Sequence, residues 1–597
     1  MNKFSRNRVK GFLHTDGRTM KNGDGQPVVL RGWGVGSWMN PEGFMIGGVP
    51  LFPEVGGFTD FALPRRFERG RTMESTVREL CGTAYAKEFA KKWYRTYLSE
   101  EDIRLMAEMG YNSVRLPVSA RLFLAEEPGI QWIEEGFSVL EQVLAWCEKY
   151  RIYAILDLHG APGGQSALAC DDGLDNRPHM FTEAESRERA MILWEEFAKR
   201  YHDRWIIGGY DLLNEPLSGP DCRKWLPELA RFYDELIPRI RKYDKNHMLT
   251  LEGSVFSMDL DIFDHEYDPE CKNWCIHIHY YNFSPEVRDL YRFLDASLRC
   301  NVPVWIGEGG SDPVTNSIFY EIAAAYDIGY SVWSWKKADD PKGEGTAVVQ
   351  YPLPEKWDVV REYIRNGGPR PSYAEAQEIL DEMLEKMQMK YCRIDETYSR
   401  YNLRQPGIRI PAVGFDQGSA KGNGWIFGNA FGYRTEEGMK MPLRPGVKPP
   451  QRVVVPTGEP LRDANPIRDL CLELREGEAV SYTIRDVEGG CKAGLAARAA
   501  GTAGTPAQSA EAGASVQAEV SGTGVQPGTS APAAGETSAV LRICCRSLDG
   551  REITAELSIA SETREYTAAL LSDSPEWVLT VTAASGAVQL DEVIFER

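Results

Sequence analysis

The chain has 597 residues and a formal net charge of −19, since 87 acidic residues outnumber 68 basic residues. This length predicts more than one domain, a catalytic-sized unit and a smaller one. An acidic surface repels phosphate backbones and anionic lipids, which argues against nucleic acid and membrane surfaces as partners. Hydrophobic residues make up 43% of the chain, but the run of about 18 apolar residues that spans a bilayer is missing, so we expect a soluble protein.

The N-terminal segment and the cysteines indicate a reducing compartment. Residues 1–10 are basic, but the apolar stretch of a signal peptide does not follow them, so the sequence predicts a cytoplasmic protein. The 12 cysteines are scattered without the density of a disulfide scaffold or the spacing of a zinc site, and we expect buried thiols. Neither a metal nor a cofactor is predicted, and the oligomeric state is left open.

Short β-branched runs alternate with helical-period segments from about residue 25 to 365, the pattern of a parallel sheet with crossover helices. The predicted strands are residues 28–33, 113–116, 153–158, 207–213, 248–251, 274–278, 304–306 and 330–333. Predicted helices between them include residues 99–109, 136–149, 185–202, 227–243 and 285–298. The strand number predicts an α/β fold, a closed (β/α)8 TIM barrel within residues 1–370. A doubly wound sheet is discarded because the glycines of residues 32–36 lack the spacing of a phosphate-binding turn.

A long insertion, residues 41–92, separates the first two predicted strands. Its first part is rich in Gly and Pro and carries the apolar residues Phe44, Met45, Phe52, Phe58 and Phe61. Because it follows a strand, we expect it at the face where barrel active sites lie, as an ordered lid. The alternative is a plug at the bottom of the barrel.

The pattern changes after the barrel. Residues 371–405 predict a helical linker packed on the barrel wall, and residues 406–597 show the short alternating strands and Gly and Pro turns of a β-sandwich. The predicted strands there include residues 479–484, 540–544, 577–581 and 588–595. Residues 496–538 are mainly small and polar, so we expect a disordered loop between two strands.

Two carboxylates end predicted barrel strands, where barrel enzymes place their chemistry. The strand that begins near Ile207 leads into Asn214 and Glu215, and the strand that begins at Val304 leads into Glu308. Strands four and seven face each other across the barrel mouth, and two carboxylates about 5 Å apart suit retaining glycoside cleavage. An exposed surface glutamate is the plain alternative for each.

Other strand ends carry polar side chains that suit such a site. Arg115 is a charge inside an apolar strand and must be paired; beside Glu308 it would hold that carboxylate ionised. His159, His279 and Tyr281 follow strands three and six and are candidate donors for sugar hydroxyls and for orienting carboxylates. A core histidine is the alternative for His277.

Aromatic residues near the first and last strands are candidate sugar platforms. Trp335 is predicted to end the last strand and to offer a flat face to a pyranose ring, whereas Trp333 is predicted to be buried in the barrel. Trp33, at the end of the first predicted strand, and Lys336, directly after Trp335, are further candidate substrate contacts.

These ordered motifs resemble glycoside hydrolase family 5 over about residues 25 to 365. The resemblance implies a (β/α)8 barrel that hydrolyses β-glycosidic bonds with retention, with Glu215 as acid/base and Glu308 as nucleophile. The other residues that match the family's active-site positions are Arg115, His159, Asn214, His279, Tyr281 and Trp335. The loop of residues 158–165 looks like the exo-acting β-1,3-glucanase and β-glucosidase-like branches.

The sandwich resembles carbohydrate-binding modules of the galactose-binding-like type, in residues 431–438, 478–483 and 588–595. Such modules often ligate calcium through a glutamate near their first strand, but Pro411 and Ala412 stand near those positions here. Calcium is therefore not expected. A docked structural domain is as good an interpretation as a sugar-binding one.

The sequence thus predicts a retaining β-glycosidase, exo-acting on β-glucosides or short β-glucan oligosaccharides, that uses double displacement with two glutamates. Its expected partner is a β-linked oligosaccharide or glycoside. One alternative is an endo-β-glucanase or mannanase with an open cleft. The other is a non-catalytic sugar-binding protein on a barrel scaffold.

Overall fold

The computed structural model describes residues 4–49, 65–281, 285–341, 347–421, 429, 432–447, 465–500, 516–517, 519–520 and 539–597. Its first unit is the predicted closed barrel of eight parallel strands, which pair in chain order and close by pairing of the last strand with the first. The strands are β1 Arg31–Gly34, β2 Ser113–Ser119, β3 Tyr153–Gly160, β4 Ile207–Asp211, β5 Leu249–Glu252, β6 Trp274–Tyr280, β7 Val304–Gly309 and β8 Gly329–Trp333. Nearly every strand residue is buried, because strands enclosed by helices have no solvent face.

The helices lie between and around these strands. Glu100–Met109 begins at Ser99, whose side chain and Asp102 form a capping box, as the sequence pattern favours. The other helices longer than eight residues within the barrel unit are Gly70–Cys81, Thr83–Tyr97, Glu134–Tyr150, Ala184–Tyr201, Leu226–Arg241, Tyr291–Cys300, Pro313–Ala324 and Trp357–Asn366. Among the residues described, no helix combines the length and the apolar character that crossing a bilayer requires.

The insertion after β1 is partly helical and is fastened to the barrel mouth. Its described part includes Gly70–Cys81 and Thr83–Tyr97, whereas Phe52, Phe58 and Phe61 lie outside the described residues. The buried Arg69 donates to the carbonyl oxygen of Gly173 at 3.0 Å, which joins the insertion to the loop after β3. The insertion and the loop after β3 therefore form one continuous wall at the barrel mouth.

Residues after the barrel pack on it. Tyr373–Lys386 and Glu396–Leu403 are helices whose apolar residues belong to the same hydrophobic core as the barrel. A second core begins at Ile408 and fills the C-terminal unit.

The C-terminal unit is a pair of sheets, as the alternating sequence predicts. One sheet contains Ile408–Pro411, Leu472–Leu474, Cys491–Ala499, Val516–Gln517, Arg564–Leu571 and Val588–Glu596. The other contains Gln417–Ser419, Ala479–Val487, Glu519–Val520, Ala539–Ser547, Glu552–Ile559 and Ser574–Ser585. The prediction of a disordered loop over residues 496–538 is wrong for residues 496–499, which continue the strand Cys491–Ala499, and for the strands Val516–Gln517 and Glu519–Val520; residues 501–515, 518 and 521–538 lie outside the described residues.

A buried ionic cluster joins the two units. Glu321, on the helix Pro313–Ala324, pairs with Arg31 at the start of β1 and with Arg485 of the sandwich. Since a buried charge is tolerated only when paired, this cluster fixes how the sandwich sits against the barrel.

Candidate active site

Glu215 and Glu308 lie together at the carboxyl ends of the barrel strands. Glu308 is within β7, and Glu215 follows β4 in a left-handed backbone conformation with φ of 44°. Both are largely buried, and a carboxylate oxygen of one lies within 4.8 Å of a carboxylate oxygen of the other. The strain that a non-glycine residue accepts at positive φ is typical of functional sites.

Arg115 is the cation that balances the acidic groups of the barrel interior. Its guanidinium is fully buried and donates to Glu308 Oε2 at 2.9 Å and to Asn214 Oδ1 at 2.7 Å. It also donates to Asp211 Oδ2 at 2.9 Å and lies 3.2 Å from Asp157 Oδ2. One rigid fork thus orients the Glu308 carboxylate and keeps a cation beside it.

His279 lies between the two glutamates. Its Nδ1 is 2.8 Å from Glu215 Oε1 and 3.7 Å from Glu308 Oε1. Burial lowers the pKa of His279, but the nearby Glu252 and Glu308 charges and the bond to Glu215 outweigh it and raise the pKa well above its ordinary value. For Glu215 the signs are reversed. Burial raises the pKa of this carboxyl group, but the hydrogen bond from His279 and the charge of His279 outweigh burial, and the pKa is lowered. Each of these two pKa shifts therefore follows in part from the hydrogen bond between His279 and Glu215.

Tyr281 and His159 complete the polar surface. The Tyr281 hydroxyl donates to Glu308 Oε1 at 2.7 Å from just beyond the end of β6. His159 Nδ1 lies 2.7 Å from Asp157 Oδ2, and burial, followed by the Arg115 charge, lowers the pKa of His159 to about 3. A neutral imidazole held by a carboxylate presents one fixed ring nitrogen to its surroundings.

The aromatic side chain at the mouth is Trp333, which corrects the prediction for Trp335. Trp333 is partly exposed, and its ring lies parallel to that of His159, with centroids 5.2 Å apart. Trp335 is fully buried behind the barrel, where its Nε1 donates to Asp102 at 3.1 Å. The prediction for Trp335 failed because β8 ends at Trp333, as the predicted strand 330–333 also does, so Trp335 lies beyond the strand and strand alternation does not set its direction.

Lys336 and Trp33 are also not at the mouth. The Lys336 ammonium is buried 3.4 Å from Asp102, and Trp33 packs against Trp335 and Tyr398 with centroids 5.8 and 5.5 Å away. Successive side chains of a strand point to opposite faces, and Trp33 is on the outer face of β1.

Gly34, the last residue of β1, and Gly36, just beyond it, leave the room that the Trp333 ring needs. A Cβ atom at Gly34 would lie 2.4 Å from the Trp333 ring, and one at Gly36 would lie 2.8 Å from it. The glycine pattern that fails as a phosphate-binding turn therefore serves packing of the aromatic residue.

Three residues of the site were missed at the sequence level. Glu42, in the insertion, is buried, and burial together with the charges of Glu308 and Glu215 raises its pKa well above the usual range. Cys170, in the loop after β3, has its thiol 3.8 Å from Glu215 Oε2. Glu252 ends β5 and had a usable signal, since it is a carboxylate at a strand end. Glu42 and Cys170 are in loops, whose paths the sequence pattern does not predict.

Two groups among the described residues place carboxylate and imidazole donors close enough for one metal ion. They are Glu252 with His277 and His279, and Glu215 with His279 and Glu308. Several of these side chains hydrogen-bond or pair with one another and with Arg115, although the Nε2 atoms of His277 and His279 have no hydrogen-bond partner among the described residues.

The comparisons with known proteins agree with this geometry. Residues 73–339 match the model of Cellulase (glycosyl hydrolase family 5). A β-xylosidase of Phanerodontia chrysosporium is 32% identical over 263 residues, 44% of this chain and 50% of that protein. Endoglucanase C of Acetivibrio thermocellus (strain ATCC 27405) is 28% identical over 169 residues, 28% of this chain and 46% of that protein. A probable glucan 1,3-β-glucosidase A of Emericella nidulans is 28% identical over 225 residues, 37% of this chain and 50% of that protein.

Many hydrolases are built on an eight-stranded barrel that carries two carboxylates at the carboxyl ends of its strands. Residues 73–339, somewhat less than half of the chain, are similar to glycosyl hydrolase family 5. The chain spans about half the length of the curated relatives that it matches.

Proposed function

We propose that the protein is a retaining β-glycoside hydrolase with Glu308 as nucleophile and Glu215 as acid/base. The observation that carries this proposal is the approach of the two carboxylates to within 4.8 Å, with Arg115 on Glu308 and His279 on Glu215. Retaining enzymes hold their carboxyl groups about 5–5.5 Å apart, whereas inverting enzymes leave about 6.5–9.5 Å for a water molecule.

The reaction has two displacements. In the first, a Glu308 oxygen bonds to the anomeric carbon, the bond from that carbon to the glycosidic oxygen breaks, and Glu215 gives its proton to the departing oxygen. In the second, water bonds to the anomeric carbon, Glu215 takes a proton from it, and the ester bond to Glu308 breaks. Tyr281 and Arg115 donate to the Glu308 carboxylate before the first step and after the second.

The acid/base needs a proton at the start of the cycle, and His279 stores it. His279 Nδ1 lies 2.8 Å from Glu215 Oε1, which is close enough for direct proton transfer between the two groups. As the glycosidic oxygen gains negative charge, one proton moves from His279 Nδ1 to Glu215 and on to that oxygen, and in the second displacement the proton that Glu215 takes from water returns to His279.

An exo-acting enzyme is the version of this function that the loops favour. The insertion after β1 brings Glu42 beside the two glutamates, and Met45 of the same segment lies 3.2 Å, at its sulfur, from Ser334 Oγ. Because Arg69 fastens the insertion to the loop after β3, one side of the mouth is walled. A wall on one side favours a pocket for the terminal sugar of a β-glucoside or short β-glucan oligosaccharide.

Azide rescue tests the assignment of the glutamates. Glu308→Ala and Glu215→Ala should each lower turnover of a nitrophenyl β-glycoside by several powers of ten. Azide should restore Glu308→Ala with an inverted glycosyl azide, because it attacks in place of the nucleophile. It should restore Glu215→Ala with a retained azide, because the covalent intermediate still forms. Full activity of Glu308→Ala would refute the assignment, and a wild-type protein that binds sugars without turnover would favour the non-catalytic alternative.

A product time course tests the exo mode. On a soluble β-glucan, an exo-acting enzyme releases monosaccharide steadily with little loss of viscosity. A rapid fall in viscosity with mixed oligosaccharides would instead establish the endo-β-glucanase alternative, and the same pattern on a β-mannan would establish the mannanase.

A further inference from the structure

Glu252 is a buried carboxylate directly beneath the proposed acid/base. It is the last residue of β5 and its side chain is wholly buried, so it cannot touch a substrate. Its neighbours with charged or titratable groups are Arg115, Asp211, His277, His279 and Glu215. Burial raises the pKa of Glu252, and a carboxyl group in such a place needs a hydrogen bond at each of its oxygens.

One oxygen of Glu252 binds the main chain of the acid/base. The backbone N–H of Glu215 donates to Glu252 Oε2 at 2.8 Å. That amide belongs to a residue with φ of 44°, a conformation that a non-glycine residue holds only when neighbouring groups support it. The bond therefore fixes the point from which the Glu215 side chain extends.

The other oxygen, Glu252 Oε1, is linked to the side chain of Glu215 by the imidazole of His279, which lies between them. Glu252 Oε1 lies 3.3 Å from His279 Nε2, and His279 Nδ1 lies 2.8 Å from Glu215 Oε1. Arg115 Nη2, at 3.3 Å, and His277 Nδ1, at 3.2 Å, hold the same oxygen in place. A carboxylate on one ring nitrogen sets the orientation and the proton affinity of the other.

We infer that Glu252 is a positioning residue for general acid/base catalysis, acting on Glu215 through its amide and through His279. The inference rests on the proposed function, because it takes Glu215 as the acid/base. Glu252 pairs directly with the amide and the imidazole that hold Glu215, but it reaches Glu308 only through Arg115 and His279, so we expect its larger influence on proton transfer.

This division predicts a dependence on the leaving group. Departure of an alkoxide requires a proton from Glu215, whereas dinitrophenolate leaves without one. In Glu252→Gln, kcat/KM for an alkyl β-glycoside or a disaccharide should fall about 10- to 100-fold, a part of the about 10²–10⁴-fold that general acid catalysis contributes. For a dinitrophenyl β-glycoside it should change less than about threefold, since that step does not use the acid. Azide should speed the dinitrophenyl reaction and yield the retained azide.

The experiment compares wild type, Glu252→Gln, Glu252→Asp and Glu478→Gln on both substrates, with and without azide, and records each melting temperature. Glu478 is a matched control, because it is a fully buried sandwich carboxylate that accepts main-chain N–H groups from Lys421 at 3.0 Å and Arg475 at 2.9 Å. Glu252→Asp keeps the charge but shortens the reach, and it serves the same purpose if Glu252→Gln does not fold. Glu478→Gln should leave kcat/KM unchanged for both substrates.

Equal losses on both substrates, or no loss on either, would overturn the inference while leaving the proposed function intact. A wild-type protein that turns over neither substrate would overturn the proposed function, and the inference with it. A leaving-group-dependent loss with azide rescue supports both.

Discussion

Replacing each of the two tryptophans near the end of β8 tests which one forms the sugar platform. Trp333 is partly exposed beside His159, whereas Trp335 is buried and hydrogen-bonded to Asp102. Trp333→Ala should therefore impair substrate binding with little effect on folding. Trp335→Phe should impair folding with little effect on catalysis.

The structure gives the size of each effect. An aromatic side chain buries about 150–250 Å², so covering one indole face with a sugar removes roughly 100 Å² from water. At about 25 cal/mol per Å² this contributes about 2.5 kcal/mol, and its loss in Trp333→Ala lowers kcat/KM about 70-fold. Trp335→Phe removes one of two donors to the buried Asp102 Oδ1, the other being Lys336 Nζ at 3.4 Å, and the lost hydrogen bond costs about 0.5–1.5 kcal/mol of folding free energy.

The assay measures kcat/KM on a nitrophenyl β-glucoside and the melting temperature of both variants. We expect Trp333→Ala to keep the wild-type melting temperature and Trp335→Phe to lose several degrees while it retains kcat/KM. If Trp335→Phe lost the larger factor in kcat/KM and Trp333→Ala kept the wild-type value, the assignment of the platform would be refuted.

Two further predictions concern other groups. Iodoacetamide should inactivate the protein by alkylating Cys170, whose thiol lies 3.8 Å from Glu215 Oε2. Because burial raises the pKa of this thiol, inactivation should be slow at neutral pH and faster at higher pH. If iodoacetamide still inactivated an active Cys170→Ser variant, this prediction would be contradicted. Burial raises the pKa of Asp244, but His247 and Tyr210 outweigh it and lower the pKa to about 2. Because the carboxyl group of the unfolded chain titrates near 3.8, Asp244 stabilises the fold above pH 3.8 and loses this contribution as the pH falls toward 2. Asp244→Asn should therefore flatten the dependence of the melting temperature on pH between pH 3.8 and pH 2. An unchanged dependence would count against this prediction.

The sequence by itself determined the barrel and the two carboxylates. A buried parallel strand is a short apolar run, and its carboxyl end opens at the active face, so Glu215 and Glu308 were found from local pattern alone. Arg115 was found for the same reason, because a charge inside an apolar strand must be paired. These inferences need the strand order but not the path of any loop.

Only the tertiary structure decided which aromatic residue faces the substrate and which loop residues join the site. Trp333 is the last residue of β8 and Trp335 lies beyond it, so the direction of the Trp335 side chain is set by the path of the chain after the strand and not by strand alternation. Glu42 and Cys170 approach Glu215 from two loops far apart in the chain, and their positions follow from long-range contacts such as that of Arg69 with Gly173. Contacts of this kind arise from packing of the whole chain, which local sequence pattern does not encode.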